Sequence, residues 1–143
     1  MFGCGLVLKK STDGIHFGEG IEINRSMSTM DVKYIPSLKK WVSTYYAEEN
    51  QFMQGAKAGV RIAFSDNGVD WDFDYSNEKM IAQNFDYPIN HNPGFIGNEL
   101  GQGYETMFLT YGANDLPLTV DGYWFSAAQY DARQLEWSRI TIK

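Results

Sequence analysis

One heptapeptide pattern occurs twice, and it constrains the fold more than any other feature of the chain. Ser11-Thr12-Asp13-Gly14-Ile15-His16-Phe17 returns 54 residues later as Ser65-Asp66-Asn67-Gly68-Val69-Asp70-Trp71. Each copy follows an apolar run, Leu6-Val7-Leu8 in the first and Val60-Arg61-Ile62-Ala63-Phe64 in the second. Small polar residues ahead of a glycine, flanked by apolar runs, predict a strand, a tight turn and a returning strand. A repeat of this period marks a unit that buries its apolar face by stacking on neighbouring units.

The rest of the chain reads in the same way. Asp31 to Leu38 is an apolar-alternating run with Pro36 near its end, which suits an edge strand. A turn at Lys39-Lys40 leads to Trp41–Ala47, and Val60–Phe64 and Val69–Phe73 follow as third and fourth strands of a meander. Further strands are predicted at 90–96, 106–112, 122–130 and 135–142. Superposing the copies sets Tyr46 against Tyr111 and Asp31 against Asn92. Only 57–63 and parts of 77–83 carry any helical pattern. Aromatic residues make up 15% of the 143, which suits cross-strand packing.

The same composition excludes several functions. With a formal charge of −6 and no basic stripe, the chain has nothing to neutralise a phosphate backbone. It has no apolar run of 18 residues to span a membrane and no visible signal peptide. The single Cys4 rules out an internal disulfide and a thiolate-cluster metal site.

The duplicated hairpin resembles the outer hairpin of the five-bladed β-propeller glycosidases, the arabinanase, xylosidase and invertase-like superfamily. The inner-strand run Asn92-Pro93-Gly94-Phe95-Ile96, followed by Met107-Phe108-Leu109-Thr110-Tyr111-Gly112, matches that superfamily's pattern too. The hairpin is also similar to the Asp-box of sialidases, with one residue fewer before the glycine. The resemblance implies an all-β fold of four-stranded antiparallel propeller-type blades. A half blade would cover 1–25 and full blades 26–75 and 88–143, a partial ring completed by self-association, for example as a homodimer. A sandwich is the competing all-β form.

The resemblance implies a carbohydrate partner and glycoside hydrolysis by two carboxylates, one acting as acid and the other as base or nucleophile. Asp31 occupies the position expected of the base or nucleophile, with Lys33 beside it. Glu105, just before the strand at Thr106, is the candidate proton donor, with Glu99, Glu48 and Glu49 as weaker choices. Asn90, His91 and Asn92 fall where such enzymes contact sugar hydroxyls, and Trp41 offers a face for stacking on a pyranose. No cofactor is expected, and one imidazole does not define a metal site. A non-catalytic glycan-binding protein and a structural or assembly domain are the alternative readings.

Overall fold

Among the described residues the elements are β-strands, and every pairing is antiparallel. The structure, a computed structural model, describes residues 6–24, 28–47, 54–55, 57, 59–76, 78, 80–82, 89–114, 119–120, 123–124 and 134–143. Its strands are β1 (Leu6–Leu8), β2 (Ile21–Asn24), β3 (Ser28–Ile35), β4 (Lys40–Ala47), β5 (Gly59–Ser65), β6 (Met80–Ala82), β7 (Ile89–Ile96), β8 (Thr106–Asn114), β9 (Thr119–Val120), β10 (Tyr123–Trp124) and β11 (Gln134–Thr141).

The central sheet is the meander β3-β4-β5-β6, and a second sheet has the order β11-β8-β7. The pairs β1-β2 and β9-β10 stand apart as two-stranded ribbons. Beyond β3 the chain turns over residues 36–39, where Lys39 takes the left-handed φ of 52°. That turn sets Tyr34 opposite Trp41 and Asp31 opposite Thr44.

Since side chains alternate across a strand, this register sorts the central sheet into two faces. One face carries Ile35, Val42 and Val60, with Ile62 and Phe64 packed beside them. It meets Phe95, Met107, Leu109 and Tyr111 of the three-stranded sheet, and this is the main core. Strand β8 shows the alternation plainly: Met107, Leu109 and Tyr111 are buried while Phe108 between them is exposed. The other face of the central sheet carries Tyr45, Ala47 and Ala63, covered by Trp71, Phe73 and Tyr75.

Arg61 lies on that second face and is fully buried. It donates to the carbonyls of Ala47 (3.0 Å), Gly59 (3.2 Å), Lys57 (2.8 Å) and Ser76 (3.2 Å). Burial depresses its pKa, yet four carbonyl acceptors compensate the desolvated guanidinium. Tyr45 ties down the same coil segment through hydrogen bonds with the backbone of Asp74.

The propeller expectation is overturned by this topology. The sheets of the described residues are separate and open, and no ring of blades is formed. The physical reason is that the duplicated heptapeptide specifies a turn and nothing beyond it. After the first copy the chain pairs only as the β1-β2 ribbon. After the second, the predicted strand Val69–Phe73 is not a strand, and the fourth strand of the meander comes later, at β6. The repeat is therefore a recurring turn and not a recurring sheet. The stretch 57–63, with its weak helical pattern, largely belongs to β5. Residues 122 and 125–130 of the predicted strand 122–130 lie outside the described residues.

Candidate functional site

The edges of the two larger sheets meet where β3 runs beside β7, and one carboxylate spans the junction. Oδ2 of Asp31 accepts the backbone N–H of Phe95 at 2.8 Å. Its Oδ1 accepts Lys33 Nζ at 2.8 Å and the N–H of Val32 at 2.9 Å. Lys33 reaches it because residues two apart share a strand face. Both side chains are held but reachable, at 27% exposure for Asp31 and 17% for Lys33. The Phe95 N–H is free to donate outwards because the β7-β8 register shifts between His91 and Gly94, a bulge carrying Asn92 and Pro93.

A tight turn over residues 98–103 packs against the same edge. Asn98 organises it by accepting the N–H groups of Leu100 (3.0 Å) and Gln102 (2.9 Å) on its side-chain oxygen. Gly103 then donates to the Tyr34 carbonyl at 2.8 Å. A Cβ at Gly103 would lie 3.1 Å from Lys33 Cβ and 3.2 Å from Ile35 Cγ1, so glycine permits the close approach that pins the Lys33 stem.

The remaining expected site residues are distributed. Asn90 and His91 stand at the start of β7, opposite Ala113 and Gly112, and Asn92 is at the bulge. This places their backbone on the strand that Asp31 clasps. Glu105 is exposed and lines a shallow cleft of about 450 Å³ with Pro36, Ser37, Asn98 and Tyr104. Asp31 is not part of that lining. Trp41 is on the opposite face of the central sheet from Asp31 and Lys33, since it pairs with Tyr34 while Lys33 pairs with Val42. There it packs on Tyr34, with ring centroids 5.1 Å apart. Glu48 and Glu49 lie outside the described residues, and Glu99 is exposed in the 98–103 turn.

Sequence reasoning missed two contributors. The Phe95 N–H is a backbone donor whose direction depends on a bulge, although the Asn92-Pro93 pair was a readable breaker signal. Trp71, which covers Tyr45 and Ala63, also lines a cavity with Trp41. Among the described residues, no group of three or more His, Cys, Asp or Glu side chains is placed to hold a metal ion. Nor is any helix there long and apolar enough to cross a membrane.

No protein-family model matches the chain, and no curated protein does. Among solved structures it superposes on the crystal structure of an N-acetylgalactosamine deacetylase from F. plautii in complex with blood group B trisaccharide. The TM-score is 0.54 at 20% sequence identity, over 93% of this chain and 40% of that one. The likeness is one of fold. It also corrects the expected family: the match is to a deacetylase and not to the five-bladed glycosidases.

Proposed function

We propose that this chain binds carbohydrate, and that Asp31 and Lys33 form the centre of recognition. The observation that carries the reading is the clasped, partly exposed Asp31–Lys33 pair at the β3-β7 junction. A carboxylate and an ammonium fixed in place let sugar hydroxyl groups meet a directional acceptor and donor without ordering loose side chains. A carboxylate held by three donors is fixed in that sense, and it keeps acceptor capacity on Oδ2, which accepts only one of them. Asn90, His91 and Asn92 are offered as neighbouring polar contacts from the strand it clasps. The superposed enzyme was crystallised with a trisaccharide, which supports the choice of ligand class.

Hydrolysis by an Asp31–Glu105 pair is the finer form of this reading. It needs the two carboxyl groups about 5–10 Å apart across the bound sugar. Asp31 stands at the inter-sheet clasp and Glu105 beside the 98–103 turn, so binding is the function this geometry supports better.

The test is calorimetric titration of a panel of neutral oligosaccharides, including blood group B trisaccharide, against the whole chain. At least one should bind saturably, and Asp31→Asn and Lys33→Met should each weaken it about ten-fold or more. No binding at millimolar ligand, or unchanged affinity in both variants, would refute the proposal.

A further inference from the structure

We propose a second, separate site on the far side of the central sheet, a cavity that takes a planar aromatic carboxylate. It lies between the β1-β2 ribbon and the sheet and has a volume of about 320 Å³. Small-molecule sites begin at about 300 Å³ and are mostly apolar, with a few directed polar groups. Here Val7, Leu8 and Ile23 come from the ribbon, while Val32 and the indoles of Trp41 and Trp71 form the opposing wall. Glycine at position 68 is what lets the second loop lie against the Trp41 ring, because a Cβ there would sit 3.3 Å from Trp41 Cε2.

The polar groups of the lining decide the ligand's charge. Trp71 Nε1 already donates to the Gly68 carbonyl at 3.0 Å. The Trp41 indole N–H has no acceptor among the described residues. Asn67 is largely engaged, one amide N–H donating to Asp70 at 2.7 Å and its oxygen accepting the N–H groups of Val69 and Asp70 at 2.8 Å each. Lys10 lines the cavity, and its ammonium has no partner among the described residues, whereas Lys33 and Lys40 are both paired with aspartates. Among the described residues the unspent side-chain groups of the lining are thus donors, one of them cationic, over apolar and aromatic walls. That set selects an aromatic ring bearing an anionic acceptor. The site shares no residue with the Asp31–Lys33 centre and is independent of the carbohydrate reading.

The probe is 2-naphthoate, titrated into the whole chain by calorimetry with tryptophan fluorescence as a second readout. Saturable binding is expected, weakened about ten-fold by Lys10→Met and about five-fold by Trp41→Phe, which keeps a ring and removes the N–H. Lys10 is exposed, so its replacement keeps the fold and decides the matter even if Trp41→Phe unfolds. Absence of saturation at several millimolar, or an affinity that Lys10→Met does not alter, would overturn the proposal.

Discussion

The two copies of the heptapeptide build the same turn and then part company. In the first, Ser11 Oγ accepts the N–H of Gly14 at 2.8 Å, and Asp13 Oδ1 accepts those of Ile15 and His16 at 2.9 and 2.8 Å. In the second, Ser65 Oγ accepts from Gly68 at 2.9 Å, and Asn67 Oδ1 accepts from Val69 and Asp70 at 2.8 Å each. Gly14 and Gly68 have φ of 75° and 76°. Yet Phe17, the final ring of the first copy, is 59% exposed, whereas Trp71 stacks on Phe73 at 5.3 Å and covers Tyr45 and Ala63. The turn is written locally, in side-chain-to-backbone hydrogen bonds, but what the closing aromatic packs against is decided by distant sequence.

The largest test of that contrast is to truncate the two rings. Trp71→Ala should cost about 2–4 kcal/mol in chemical denaturation and Phe17→Ala about 0.5 kcal/mol or less. Equal losses would show that the first loop is packed as firmly as the second. Next come the two glycines. Both substitutions to alanine force a left-handed backbone, costing about 1 kcal/mol. Only Gly68→Ala also presses on Trp41, while a Cβ at Gly14 meets nothing within 4 Å. The second should therefore be the more destabilising by about 0.5–1 kcal/mol, read from the denaturation midpoints.

A smaller difference is set by pH. Tyr45, which anchors the coil leaving the second loop, has its pKa pushed up to about 12, chiefly by burial. With a folded value above the ordinary 10, its contribution is complete below pH 10 and is lost as pH rises towards 12. Tyr45→Phe should flatten that part of the stability profile, although it also removes the bond to Asp74. The first loop responds at the opposite end. Hydrogen bonds from His16, first its side chain and then its backbone, with the Ile15 N–H, hold the Asp13 carboxyl well below the usual carboxylate range. Its contribution is present above about pH 4 and is lost as pH falls further, an effect that Asp13→Asn should abolish and that Asn67, lacking a charge, cannot show. Because Asp13 is exposed, this should be the smallest shift, best followed by the chemical shifts of the loop amides.

These comparisons explain what could be read in advance. The all-β, antiparallel character was legible because Met107, Leu109 and Tyr111 alternate with outward residues at the strand period, and both turns carried their own chemistry. Blades were not, since sheet membership depends on pairing between distant segments, and residues 69–73 satisfy a strand pattern while packing as coil. Asp31 and Lys33 lie side by side because residues two apart share a strand face. Trp41 was grouped with them, but the turn over 36–39 pairs it with Tyr34 and sends it to the other face. Arg61 stands as a charged residue inside the apolar run 60–64. Only the convergence of four carbonyls from three segments makes its burial tolerable, and no local pattern announces that.

The Asp31 clasp carries a consequence for energetics. The two larger sheets have separate hydrogen-bond ladders, and the bond from Phe95 N–H to Asp31 is a polar tie between them. Any ligand that competes for Oδ2 must loosen that tie, and any ligand that binds better while the tie is made must tighten it. Affinity at the junction and the mutual orientation of the sheets are therefore reciprocal quantities, and a strain applied to one is measurable as a change in the other.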